Sequence, residues 1–472
     1  MNRTDQLRSL PSVDEVLRWD LIEPLTSRLG HDRLVRWIRA AIESQRKRIL
    51  SGDAAESTCM TSEIMSAINA LVDSDHGQSL QRVINATGIM LHTNLGRAPL
   101  AQRAIDRVND ATAFANVELD LASGKRSKRG KRVMELLAQL TGAEDAVVVN
   151  NCAAATMLVL QAVAGGREVI ISRGQLVEIG GGFRLPNVFA AAGVELHEVG
   201  TTNRTYVRDY EAAINDSTGA ILRVHHSNFR LTGFVTEPTI AELIAAKRSR
   251  PDDGAVLVPV IDDVGSGCIG DLSRFDLHEP NVIESVAAGA DLTLFSGDKL
   301  FGGPQAGIVV GQKKWIDQLR ANPLMRAMRV DKMTLAALEA TAEIHLEGKA
   351  GEELPLMKML CKESDTVADS CRQIVRQLGS FAGVEVDVVE SESQVGGGSV
   401  PGVGIPSAAI KISGCKVDQL ATTLRSGRPA VQARVADDSL WLDLRTVADD
   451  ELQLLATRLA DALARVAVDG SV

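Results

Sequence analysis

At 472 residues, with 45% apolar and 24% charged side chains, the chain is long enough for two or three domains around a large core and is not disordered in bulk. Its formal charge of -10 excludes indiscriminate coating of nucleic acid, so no DNA partner is expected, although it does not exclude a local basic face. There is no apolar run of about 18 residues and no apolar signal core, and the six cysteines form no CxxC or His-interleaved cluster. These features point to a cytoplasmic protein with reduced thiols, no metal site and no membrane contact.

Residues 1–75 read as helical. Leu17, Leu21, Leu25 and Leu29, then Leu34, Val35, Ile38 and Ile42, recur at helical spacing, with Pro24 and Gly30 as breaks. Arg28, Arg33, Arg36, Arg39, Arg46, Lys47 and Arg48 gather in this segment. A solvated helix face explains them as well as an RNA-contacting one.

From about 140 to 311, short β-rich runs alternate with helical stretches: 146–150, 168–172, 194–199, 220–224, 256–262, 291–296 and 306–310. Most are continuously apolar, the mark of strands buried on both faces. Crossovers between them predict a mainly parallel, doubly wound α/β sheet with ligands at its carboxyl edge. Segments 326–347 and 352–380 read as helices. Beyond 380, strands at 384–390, 408–412 and 439–445 alternate with helices at 418–426 and 450–466, as in a small α+β domain. The Gly-rich stretch 395–404 reads as a mobile loop. The expected domains are 1–75, 76–345 and 346–472.

Three segments carry candidate chemistry. At 294–311 a buried strand ends in Ser296-Gly297-Asp298-Lys299, followed by glycines and another strand. A lysine placed there, in a protected pocket, is a nucleophile suited to an aldehyde. The strand 256–262 ends in Asp262-Asp263, where one carboxylate can face a protonated pyridine nitrogen. Alternation along a strand leaves one of the two in the site; we assign Asp262 to it and Asp263 to a structural role. At 146–163 a strand turns through Asn150, Asn151, Cys152 and Ala153 into a helix, whose free N–H groups suit a phosphate. Phosphate turn, acidic strand end and lysine, in that order, resemble the aminotransferase-like (fold type I) pyridoxal-phosphate (PLP) fold.

Longer blocks make the resemblance specific. Residues 82–100, 140–157, 172–188, 200–205, 225–234, 261–267, 294–311 and 322–341 resemble the bacterial selenocysteine synthase family, the L-seryl-tRNA(Sec) selenium transferases. The resemblance implies a helical N-terminal tRNA-binding domain, a large PLP domain and a small C-terminal one. It implies Lys299 as the Schiff-base lysine, and Arg97, Arg326 and Arg329 as the basic site for selenophosphate. Asn228, Ser296, Asp298, and Thr201 or Thr202 fall in active-site segments. The implied reaction converts L-seryl-tRNA(Sec) to L-selenocysteinyl-tRNA(Sec) through a dehydroalanyl-tRNA aldimine, in a homo-oligomeric ring of dimers. A PLP lyase or eliminase acting on a small amino acid or amino sugar acid is the alternative.

Two departures stand out. Cys152 replaces a third asparagine, and 124–137 is more basic than the family pattern and lacks its His and Glu. That segment's cations, Lys125, Arg126, Lys128, Arg129, Lys131 and Arg132, are candidates for the tRNA acceptor end.

Overall fold

The structure is a computed structural model and describes residues 3–51, 60–76, 80–248 and 258–468. The chain divides into two units, 1–82 and 83–472.

The first unit is all helical. Its longest helix, His31–Ser51, buries Leu34, Ile38, Ala41, Ile42 and Ile49 along one stripe. The stripe packs with Val16, Ile22, Ile64, Ile68 and Val72. The apolar spacing of three and four residues forms that stripe and leaves Arg33, Arg36, Arg39, Arg46, Lys47 and Arg48 exposed. The side chain of Arg28 lies outside the described residues.

In the second unit, β1 (Val83–Ala86) precedes β2 (Asp145–Val149), β3 (Glu168–Ser172) and a two-residue pair, β4 (Glu178–Ile179) and β5 (Phe183–Arg184). Next come β6 (Glu195–Val199), β7 (Thr218–Val224), β8 (Val260–Gly265), β9 (Leu292–Ser296) and β10 (Gly307–Gly311). The last four are β11 (Glu385–Gly396), β12 (Ser399–Ser413), β13 (Ala430–Ala436) and β14 (Ser439–Asp443). The large sheet has seven strands in the order β2-β10-β9-β8-β7-β3-β6. Its pairings are parallel except those of β10, which runs against both β2 and β9. The carboxyl ends of β2, β8 and β9 therefore share one edge. Apolar side chains fill both faces of this sheet, as the continuously apolar runs require. Residues 256 and 257 of the expected strand at 256–262 lie outside the described residues.

The second sheet runs β1-β13-β14-β12-β11. The helices Ser364–Leu378, Val417–Arg425 and Leu452–Val468 contribute to the core on its apolar face. Two features of this sheet differ from expectation. Residues 83–86, expected in the large domain, pair in parallel with β13 and bury Ile84 and Ala86 in the small domain's core. The Gly-rich stretch 395–404 is the tip of the β11–β12 hairpin, with Val395, Ser399 and Val400 buried. Gly396, Gly397 and Gly398 all have positive φ, and a Cβ on Gly397 would lie 2.7 Å from that of Leu91. The glycines thus let the tip turn and seat against residues 89–91, which hydrogen-bond Gln394 and Val395.

Candidate active site

Chain topology assembles the site from three strand ends. Gly307, at the start of β10, pairs with Val149 of β2 on one side and Ser296 of β9 on the other. The ends of β2 and β9 are therefore two strand spacings apart, about 10 Å. Gly307 is obligatory there, because a Cβ would fall 2.1 Å from the Asn151 carbonyl oxygen.

At the β2 end, Asn151 caps the helix Cys152–Ala164, its Oδ1 accepting from the Ala154 N–H at 2.9 Å. The N–H groups of Cys152 and Ala153, in the first turn, have no acceptor within the helix. They and the positive end of the helix dipole suit an anion.

At the β8 end the two aspartates diverge. Asp262, fully buried, accepts from Ser285 Oγ at 2.7 Å and from Arg223 Nη1 at 3.3 Å. Asp263 turns the other way. Its Oδ2 accepts from Thr156 Oγ1 at 3.1 Å and its Oδ1 from Cys152 Sγ at 3.6 Å, while Lys299 lies close enough to favour its charge. Burial pushes both carboxyls up, Asp263 to about 6; Thr156 and Lys299 oppose the shift there, and the adjacent Asp262 adds to it. As alternation requires, the two carboxylates take opposite sides: Asp263 is on the side of Lys299 and the helix at 152–164, whereas Asp262, the one expected there, faces Ser285 and Arg223. The Cys152 thiol is raised well above its usual value, by burial first and then by Asp263, so it is a neutral donor and not a thiolate.

At the β9 end, Lys299 is 8% exposed and its side-chain amine makes no hydrogen bond or ion pair among the described residues. The loop holding it is fixed by backbone bonds: Leu300 N–H to Ser266 O at 2.8 Å, Gly302 N–H to Lys299 O at 2.9 Å and Gly303 N–H to Gly297 O at 2.8 Å. Ser296 Oγ donates to Asp298 Oδ1 at 3.0 Å, and Arg97 Nη1 donates to Asp298 Oδ2 at 2.6 Å. Arg97 has a φ of 62°, and its Nε is buried without a protein partner.

The remaining expected residues are spread around this edge. The Asn150 N–H donates to Met328 O at 2.9 Å, and Arg329 bridges to Val149, which anchors the segment bearing Arg326 and Arg329 beside the phosphate turn. Both arginines are exposed and have no ion pair among the described residues. Asn228 is also exposed, its Nδ2 donating to Glu178 O at 2.7 Å. Thr201 and Thr202 are exposed, and Thr201 Oγ1 donates to Arg204 O at 3.0 Å. Sequence reasoning missed Thr156, Arg223 and Ser266. A signal existed for Thr156, which stands four residues after Cys152 and so shares its helix face.

The family profile described as L-seryl-tRNA selenium transferase matches residues 83–448, and one described as selenocysteine synthase N terminal matches residues 7–46. The chain belongs to the L-seryl-tRNA selenium transferase family. It is 41% identical over 451 residues to the L-seryl-tRNA(Sec) selenium transferase of Carboxydothermus hydrogenoformans, covering 94% of this chain and 95% of that one. The enzyme of the same name from Rhizobium meliloti is 43% identical over 97% of this chain and 99% of its own, and that of Solidesulfovibrio magneticus is 48% identical over 81% and 82%. Among solved structures, D-glucosaminate-6-phosphate ammonia-lyase aligns with a TM-score of 0.56 at 21% identity, covering 84% of this chain and 99% of that one. The fold of this L-seryl-tRNA selenium transferase family member is the aminotransferase-like PLP fold (fold type I).

The residues present fit PLP. The site offers an unpartnered buried lysine, first-turn N–H groups and a carboxylate facing the lysine. Ser266, next to the Lys299 loop, also has a buried Oγ with no protein partner.

Proposed function

We propose that this chain converts L-seryl-tRNA(Sec) to L-selenocysteinyl-tRNA(Sec), with selenophosphate as the selenium donor and Lys299 as the residue that holds PLP. The observation that carries the reading is the convergence of Lys299, Asp263 and the Asn151–Ala153 turn on one edge, in a chain about 40% identical to enzymes of that name over nearly its full length.

PLP, when bound, supplies an electron sink for charge developing at the seryl α-carbon. The N–H groups of Cys152 and Ala153 would hold its phosphate, and the Asp263 carboxylate, in place of Asp262, would be the partner of its ring nitrogen. The Lys299 amine is the base that takes the seryl α-proton. It is buried, with Asp263 close enough for the two charges to attract. The β-hydroxyl leaves as water and selenium takes its place on the β-carbon, a proton returns to the α-carbon, and the Se–P bond of selenophosphate breaks with water to release phosphate. Arg326 and Arg329, free of ion pairs, and Arg97, with its free Nε, supply the guanidinium groups that bind an anionic donor. Asp298 keeps Arg97 in place, and Ser296 keeps Asp298. Asn228, Thr201 and Thr202 make no hydrogen bond to Lys299 among the described residues, and they are given no role in the chemistry. The helical unit of residues 1–82, with its exposed arginines, is the tRNA-binding part. The assembly is a cytoplasmic homo-oligomer. Among the described residues no helix is long and apolar enough to cross a membrane.

Purified protein incubated with PLP, seryl-tRNA(Sec) and selenophosphate should form selenocysteinyl-tRNA(Sec), and Lys299→Ala should not. Product formation without dependence on Lys299, or none with the unaltered protein, would refute the assignment.

A further inference from the structure

The buried face of the helix Cys152–Ala164 carries a hydroxyl that the proposed reaction does not use. Thr156 is 2% exposed, and its Oγ1 lies 3.1 Å from Asp263 Oδ2 and 3.0 Å from the Cys152 carbonyl oxygen. A hydroxyl has one proton, so it cannot donate to both oxygens at once. An ionised carboxylate is the stronger acceptor and takes the proton. If Asp263 is protonated, its own O–H can donate to Thr156 Oγ1, and the threonine proton turns to the helix carbonyl. In either state every oxygen in the chain Asp263–Thr156–Cys152 carbonyl is satisfied, which matters because an unmet buried polar group costs about 1–3 kcal/mol.

We propose that Thr156 is a positioning residue that locks the Asp263 carboxylate in the rotamer facing the ring nitrogen of the cofactor, with the Cys152 thiol as a second and weaker donor on the other oxygen. The inference rests on the reading of Asp263 as the ring-nitrogen partner. The charged and titratable groups around that carboxylate are Lys299, Asp262 and Cys152. Lys299 favours the ionised form, Asp262 opposes it, and Cys152 donates a hydrogen bond. Thr156 is the oxygen donor that binds the carboxylate directly, at the shorter of its two side-chain contacts. Without it, the carboxylate is free to turn about χ1 and χ2, and the ring nitrogen loses part of its protonating partner.

The test is spectroscopic and needs no turnover. Full-length protein is loaded with PLP, and the visible absorption of the Lys299-bound cofactor is followed against pH. A protonated ring nitrogen withdraws electrons from the Lys299 nitrogen and lowers its pKa. Asp263→Asn should therefore move the midpoint upward. Thr156→Val should move it the same way by a smaller amount, about half a unit to one unit, the scale of one hydrogen bond to a charged group. Thr156→Ser, which keeps the hydroxyl, should return the wild-type midpoint and keeps the comparison available if the valine variant folds poorly. A Thr156→Val midpoint equal to wild type, beside a shifted Asp263→Asn, would overturn the role of Thr156 alone. A serine variant shifted as far as the valine one would also overturn it. An unshifted Asp263→Asn would overturn the underlying assignment of Asp263 as well.

Discussion

Arg97 Nη1 and Asp298 Oδ2 are 2.6 Å apart, so the residue immediately before Lys299 is tied to a turn two hundred residues earlier in the chain. The Asp298 side chain is 6% exposed and that of Arg97 28%. One end of the guanidinium is thereby fixed while Nε stays free. Asp298→Asn should leave PLP bound but lower kcat/KM for selenophosphate by about 10- to 100-fold, the effect of removing a charge-assisted hydrogen bond that orients the fork. Arg97→Lys should fall equally far, since an ammonium cannot replace both ends of the fork. Donor-saturation kinetics at fixed seryl-tRNA would check both; an unchanged kcat/KM in either variant would contradict the role given to the pair.

Among the described residues, Arg326 and Arg329 have no carboxylate partner that would mark them as structural. Replacing either with Gln should raise KM for selenophosphate by about tenfold or more with little loss of thermal stability, because exposed positions without partners contribute about 0.5 kcal/mol or less to folding. A large drop in Tm with unchanged KM would show that they serve the fold instead.

How much of this was visible in the sequence depends on what each feature needs. The strand-end lysine was legible because a buried run, a Gly-Asp-Lys and a glycine pair occupy eleven consecutive residues, 294–304. Most strands of the large sheet were legible because burial on both faces makes their composition distinctive, the edge strand β6 being the half-exposed exception. The identity of the site-facing aspartate was not, since alternation says only that Asp262 and Asp263 diverge. Which face meets the helix at 152–164 is a tertiary fact, and the register of β8 against β9 shifts between Asp263 and Gly265. β1 was missed because it joins a sheet through a partner more than three hundred residues away, and β13, although it also pairs with the neighbouring β14, was missed because it lacks a long apolar run. The tip at 395–404 read as a loop because its glycines hide a hairpin whose stability comes from packing on residues 89–91.

The raised carboxyl of Asp263 has a consequence for stability. In cofactor-free protein the folded state holds this proton up to about pH 6, whereas the unfolded chain releases it near the ordinary value of 3.8. The folded state therefore binds more protons between those limits, and stability falls as pH rises through that window, by an amount on the order of 3 kcal/mol. Asp263→Asn removes this contribution. Chemical denaturation of apo wild type and variant across pH 4 to 7 should show the wild type losing stability relative to Asp263→Asn as pH rises. Parallel curves would contradict the buried, raised carboxyl.

In the basic segment, Arg126 and Arg129 both pair with Glu118, at 2.9 and 3.2 Å, while Lys125 and Lys128 are exposed with no ion pair among the described residues. The lysines are the cations free to meet phosphate. Lys125→Glu with Lys128→Glu should weaken tRNA binding and reduce the slope of log K against log salt by about 0.9 for each phosphate that is no longer neutralised. An unchanged slope would remove this segment from the tRNA surface.

The most direct measurement is chemical. Holoenzyme reduced with borohydride, digested and analysed by mass spectrometry should carry a phosphopyridoxyl group on the peptide containing Lys299. Finding the group on another lysine, or on none, would contradict the account at its root.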